Sequence, residues 1–167
     1  FRKSDGSLFA LCRTKQRQIV SIASSDLGKT WTLPAPAGAP DVLPNPNGAI
    51  CGVTLRDGRH LLAYNASAHV RTPLALAISE DGVHWRSAGT IENEPAEFSY
   101  PTMIQSRDGL VHVVYSWKKL RVKHVTLDPA RLAMEPLPAA PKPSDPFAMP
   151  GVVVNYSPPT SKQYLGS

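Results

Sequence analysis

The chain is poor in the features that staple, anchor or coil a protein. It has 2 cysteines in 167 residues. Cys12 and Cys51 make no disulfide framework. Both sit in apolar strand-like runs, where buried free thiols are expected. No apolar run approaches the roughly 20 residues that a membrane span needs, so no membrane partner is expected. The net charge is +5, yet there is no dense Lys/Arg block and no DNA- or RNA-binding motif, which argues against nucleic acid. No His/Cys/Asp spacing suits a metal, and nothing calls for a cofactor. Helix signals are nearly missing: no long stripe of 3.6-residue period appears, and 17 prolines are spread through the chain. The sequence opens at Phe1 without an initiator Met or a signal-peptide pattern. Phe1 leads straight into a strand-like run, which reads as a fragment of something longer.

What is present is repetition. Ser4-Asp5-Gly6 precedes SLFALCR, Arg56-Asp57-Gly58 precedes RHLLAYN, and Arg107-Asp108-Gly109 precedes LVHVVYSW. Asp-Gly between apolar runs is a hairpin signal, because a tight turn there needs φ > 0. A second apolar run follows each: QIVSIASS, PLALAISE and RVKHVTLD. Two of these end in a further turn, Ser24-Ser25-Asp26-Leu27-Gly28-Lys29-Thr30-Trp31 and Ser79-Glu80-Asp81-Gly82-Val83-His84-Trp85. In both, Asp and Gly make the turn and Trp is expected to pack beneath it. The third repeat lacks this turn and runs into Asp128-Pro129.

The unit is therefore four short strands, in the middle repeat roughly 47–55, 59–67, 73–80 and 86–92. Tandem four-stranded units predict an all-β fold, a partial β-propeller of about three blades. A β-sandwich is the alternative, but its strands would not recur in matched sets of four. The blades span about 1–40, 41–95 and 96–135, the first lacking its own first strand. N-terminal blades of the same protein would complete the ring. Residues 136–167 are proline-dense and predicted to be an extended, mostly disordered tail. Within it, Val152-Val153-Val154 is a candidate edge strand that would complete a blade.

The motif Ser-x-Asp-x-Gly-x-Thr-Trp at 24–31 is the Asp box of the sialidase (neuraminidase) superfamily. The stretches DGSLFALCRT, SSDLGKTW, LPNPNGAI, LRDGRHLLAYN, PLALAISEDG and FSYPTMIQSRDGLVHVVYSW then KHVTLD resemble its bacterial BNR-repeat-like, exo-α-sialidase-like branch. They cover about residues 3–130. The resemblance implies a six-bladed propeller with a pocket on one face. It also implies three arginines clamping a carboxylate, a Tyr nucleophile activated by a Glu, and an Asp acid/base. The implied activity is hydrolysis of a terminal acidic sugar; a non-catalytic propeller that binds glycan or protein is the alternative. Asp boxes lie on the opposite face, so Ser24, Asp26, Gly28 and Trp31, with Ser79, Asp81, Gly82 and Trp85, are expected to be structural.

Strand order sorts the remaining candidates. The starts of first strands and the links between second and third strands share one end of the blades. The Asp-Gly hairpins lie at the other. The pocket end therefore collects Asn45, Asn47, Glu97, Ser99 and Tyr100, together with Arg13, Lys15, Arg17, Asn65, Ser67, His69, Arg71, Trp117, Lys118, Lys119 and Arg121. A mouth so rich in cations suits an anionic partner such as an acidic glycan, since Arg grips a carboxylate with two parallel hydrogen bonds. Tyr100, in Phe98-Ser99-Tyr100-Pro101, is the nucleophile candidate, and Glu97 its base or an independent acid. Arg13 and Arg71 are the clamp candidates. Asn45 and Asn47, held by Pro44 and Pro46, are candidates for sugar hydroxyls, and His69 for acid/base work. Two places depart from the superfamily pattern. Asn65-Ala66-Ser67 stands where an Arg is usual, and Asn47-Gly48 where a Glu is usual. The usual Asp acid and first Arg would lie in the missing N-terminal half.

Overall fold

The computed structural model describes residues 1–38 and 42–138. Among them, ten strands form three antiparallel sheets. The first holds β1 (Leu8–Arg13), β2 (Ile19–Ser24) and β3 (Ala35–Pro36). The second holds β4 (Cys51–Thr54), β5 (His60–Asn65), β6 (Leu74–Ser79) and β7 (Arg86–Glu92), in that order. The third holds β8 (Phe98–Gln105), β9 (Val111–Trp117) and β10 (Arg121–Leu127). Each strand pairs with its successor, the meander of a propeller blade. The chain is thus an all-β partial propeller, and its sheets stay open.

The middle sheet explains how the units stack. Every residue of β5 and β6 is buried, on both faces. Leu61 and Ala63 of β5, with Leu74, Leu76 and Ile78 of β6, pack toward Phe98, Met103, Val111, Val113 and Tyr115 of the third sheet. The alternate residues Leu62, Tyr64, Ala75 and Ala77 pack toward Phe9 and Ile19 of the first, together with Leu43. This is period-2 alternation with both sides apolar, as a covered sheet requires. β4 and β8, the first strands of their sheets, lie side by side.

The strand bounds differ from the sequence reading at one informative place. β4 begins at Cys51, not near 47. Asn47 has φ +61, a left-handed conformation that cannot continue a strand, so Pro46-Asn47-Gly48 is a turn. The last described segment also differs. After β10 the chain forms a 3-10 turn at Pro129–Arg131, capped by Asp128. Glu135 then exchanges two backbone hydrogen bonds with Ser87 of β7, at 2.8 and 3.0 Å. Leu132 and Met134 pack on one core and Leu137 on the other. The chain therefore returns to the outer edge of the middle sheet instead of extending the third. The Val152-Val153-Val154 candidate strand lies outside the described residues.

The two Ser-x-Asp turns sit at the far end from the link carrying Arg71. Asp26 accepts from the Thr30 amide (2.9 Å) and hydroxyl (2.6 Å), and Asp81 from the Val83 and His84 amides (both 2.8 Å). Ser24 and Ser79 accept from the Gly28 and Gly82 amides. The two tryptophans behave differently. Trp85 is 5% exposed, packed against the first sheet, whereas Trp31 is 43% exposed and lies over Gly28. The first sheet covers Trp85, while among the described residues no sheet stands in the same relation to Trp31.

Two measurements follow. Gly82 has φ +75, and a Cβ there would lie 2.7 Å from the Phe9 ring, whereas Gly58 has φ +92 and open space around it. Gly58→Ala is expected to cost about 1 kcal/mol from backbone strain alone. Gly82→Ala adds an overpacking cost of about 1–3 kcal/mol, and denaturant midpoints read the difference. The second measurement is pH dependence. Hydrogen bonds from Thr30 and Ser24 hold the Asp26 carboxyl down at about 2. A depressed folded value gives stability that is present above the unfolded value of about 3.9 and is lost as pH falls through the folded one. Stability is expected to decline between about pH 4 and 2, less steeply in Asp26→Asn.

Candidate functional site

The opposite end of the blades carries the candidate site, and its foundation is a bulge. β8 pairs regularly with β9 from Thr102 onward, but the register shifts between Ser99 and Thr102. Tyr100 sits in that shift with φ +55. A bulge re-aims side chains, and a bulky residue at positive φ costs about 1–3 kcal/mol and persists only where its surroundings enforce it. Here they do. The Phe98 amide donates to Arg71 O (3.0 Å), Asn65 Nδ2 donates to Phe98 O (2.9 Å), and the Lys118 amide donates to Glu97 O (2.8 Å). Pro101 follows without an amide hydrogen. The result is that Tyr100 is 62% exposed directly after the two buried residues that open β8.

Charged groups gather round that ring. The Arg71 guanidinium carbon lies 5.7 Å from the Tyr100 ring centroid, a cation–π distance. Arg71 also pairs with Glu97 at 3.7 Å. Glu97 takes Lys119 Nζ at 2.8 Å and the Ser99 hydroxyl at 3.3 Å. The Lys119 hydrogen bond and the nearby Arg71 charge hold the Glu97 carboxyl below the usual range, against the partial burial that would raise it. Lys119 comes from a tight β9–β10 turn in which Lys118 and Lys119 both have positive φ (+56 and +58). Such a turn normally takes Asn or Gly. Lys118 stands 4.3 Å from the Trp117 ring and pairs with Glu94 at 2.6 Å, and Arg121 lies 5.3 Å from the same ring.

The structure therefore brings Tyr100, Glu97 and Arg71 together, with Lys119 and Ser99 beside them. The other candidates make none of these contacts. Arg13 is exposed at the end of β1. His69 is exposed, and its Nδ1 receives Arg17 Nη1 at 3.1 Å; partial burial and the Arg17 charge push its imidazole down. Asn47 is exposed in its turn. Asn45 is 0% exposed, and neither carboxamide atom has a hydrogen-bond partner among the described residues.

A second carboxylate escaped the sequence reading. Glu92, at the end of β7, is buried and accepts from the Tyr115 hydroxyl and from Lys123 Nζ. Burial opposes its charge, but those hydrogen bonds win and keep its carboxyl below the usual range; burial pushes the Tyr115 phenol up. No spacing rule links residues 92, 115 and 123, so only sheet stacking reveals them. With Glu94, they make this end less one-sidedly cationic than the strand order implied. Among the described residues no three His, Cys, Asp or Glu groups converge on a metal position, and no helix is long and apolar enough to cross a membrane.

The cause assigned to Glu97 is open to test. Lys119→Met is expected to move the Glu97 titration upward, toward the ordinary carboxylate range, as followed by its side-chain carbonyl NMR shift. An unmoved midpoint would assign the depression to Arg71 instead.

Similarities to known proteins concern the family and the fold. The BNR repeat-like domain model matches residues 1–113. No curated protein matches the sequence. The intramolecular trans-sialidase of Ruminococcus gnavus, solved with oseltamivir carboxylate, superposes with a TM-score of 0.66 at 18% identity, over 81% of this chain and 33% of that one. The leech intramolecular trans-sialidase, solved with 2,7-anhydro-Neu5Ac, gives 0.63 at 17% identity, over 76% and 22%. A Dyadobacter fermentans protein of unknown function gives 0.57 at 16% identity, over 76% and 45%. The chain thus spans a third or less of the two trans-sialidases, and the likeness is one of fold. The match over residues 1–113 places this chain in the BNR repeat-like domain family, built on the sialidase-like propeller.

Proposed function

We propose that this chain supplies part of the mouth of a glycoside hydrolase of the sialidase superfamily, acting on a terminal acidic sugar. The observation that carries the reading is Tyr100, held on a bulge at positive φ, exposed, with the Arg71 guanidinium over its ring. Strain kept at one exposed tyrosine beside a cation is the kind of arrangement that active sites retain. The carboxylated ligand named for the R. gnavus neighbour and the Neu5Ac derivative named for the leech enzyme fit a cation-lined mouth.

In this reading Arg71 and Lys119 attract the sugar carboxylate. The Tyr100 oxygen bonds to the anomeric carbon as the bond from that carbon to the leaving oxygen breaks, and water then cleaves the tyrosyl–sugar bond. The phenol proton and the proton taken up by the leaving oxygen are exchanged with groups on the remaining blades. In this reading Glu97 is not the acid. Its carboxylate is engaged by Lys119, Arg71 and Ser99 and makes no hydrogen bond to Tyr100. A carboxyl held below its ordinary range is a poor proton donor at neutral pH. Glu97 aims Arg71.

One observation favours a second reading, a propeller that binds acidic glycan without cleaving it. Asn47-Gly48 and Asn65 occupy places where the superfamily pattern has Glu and Arg. Release of a fluorescent leaving group from a panel of acidic-sugar glycosides, using the full-length protein, separates the two. Under the hydrolase reading Tyr100→Phe loses about 10³-fold or more in kcat. Arg71→Met raises KM about 10–100-fold, the loss of one charge-assisted contact. Binding of acidic glycans with no turnover across the panel would select the second reading, and turnover unchanged in Tyr100→Phe rejects the nucleophile.

A further inference from the structure

Asn65 is the last residue of β5, and it is fully buried at the junction of the middle and third sheets. Its Nδ2 donates to the carbonyl of Phe98, two residues before Tyr100, at 2.9 Å. Its Oδ1 has no hydrogen-bond partner among the described residues. A buried acceptor left unpaired costs stability, but an apolar side chain of similar size would leave the Phe98 carbonyl unpaired instead. The amide is kept for the bond it makes, and the position of Phe98 says what that bond controls.

The Phe98 backbone is held at both polar groups by the middle sheet, its carbonyl by Asn65 and its amide by the carbonyl of Arg71. Next along the chain come Ser99 and the register shift that turns Tyr100 into the left-handed region. Asn65 thus fixes the take-off of the bulge, and Arg71, the cation over the Tyr100 ring, shares the same anchor. Gly48 completes the arrangement. A Cβ on Gly48 would lie 2.7 Å from Asn65 Oδ1, so the missing side chain is the space that the amide occupies.

We infer that Asn65, seated against Gly48, is a positioning residue: it sets the Tyr100 bulge and the stacking of Arg71 on Tyr100. This rests on the hydrolase reading only for its effect on turnover. Asn65 touches no reacting atom and acts through the Phe98 carbonyl.

The test uses the full-length protein and two readouts. The first is the NMR shift of the Arg71 Nε–H, which the Tyr100 ring displaces; the difference from Tyr100→Leu defines that displacement. The second is kcat and KM on the fluorogenic acidic-sugar panel. Asn65→Asp keeps the shape but sets an acceptor against the Phe98 carbonyl. It is expected to remove at least half of the ring displacement and to lower kcat about 10–100-fold, as displacement of a reacting group by about 1 Å does, with KM within about 3-fold. Gly48→Ala disturbs the same amide without removing any polar group and is expected to act in the same direction, so it decides the matter if Asn65→Asp does not fold. Ser79→Ala, which removes the hydroxyl that receives the Gly82 amide at the other end of the same sheet, destabilises without moving either readout. The inference is overturned if the folded Asn65 or Gly48 variant keeps the ring displacement, or if Ser79→Ala loses it equally. A wild-type protein silent on the whole panel would count against the hydrolase reading, while the NMR comparison would still decide the role of Asn65.

Discussion

Burial of the middle sheet on both of its faces is the constraint on which the rest of this structure depends. β5 and β6 expose almost nothing, and their alternate residues enter two separate cores. An antiparallel sheet on its own leaves one face to water. Here each face is closed by a neighbouring sheet, so the three sheets stack in a fixed order and their like ends come to the same side. Only for that reason does the link after β5 meet the start of β8 and the turn after β9. Loosening the stack would separate Arg71 from Tyr100 and Lys119, although none of them lies in either core.

The two ends of the stack use different physics. At the far end, side-chain oxygens of Ser and Asp satisfy the turn amides. Those bonds are local, within a few residues, and belong to each repeat separately. At the mouth end, the bonds cross between sheets: Asn65 to Phe98, Arg71 to Phe98 and Glu97, Lys123 to Glu92. Local bonds make rigid corners, while bonds between sheets fix how neighbouring units present their side chains to each other. A site assembled from several repeats needs the second kind. The strained Tyr100 and the two left-handed lysines occur at that end, where the neighbouring sheet can hold them.

Legibility in the sequence follows the same division. The Asp-Gly hairpins, the second turns and the alternating apolar runs are short-range patterns, and they located the three sheets and the orientation of their ends. The start of β4 was misread because a left-handed Asn47 looks like any other asparagine in a proline-framed run. The return of residues 132–137 to the middle sheet carries no periodic signal, being a single bridge at Glu135 and three apolar contacts. Asn45 was placed at the mouth on strand order alone, and strand order says nothing of burial, which is complete at this side chain.

By itself, the sequence determined the all-β class, the repeat, the meander within each unit and which residues share an end, because these depend on turn chemistry and on the two-residue period of a strand. The tertiary structure decided which of the residues at that end touch. Tyr100, Arg71 and Glu97 converge, Asn45 is enclosed, Glu92 joins Tyr115 and Lys123, and Asn65 fills the space beside Gly48. The physical reason is range. A turn or strand is set by neighbours a few positions away, whereas these contacts cross between sheets, and their geometry exists only once apolar faces have chosen their partners.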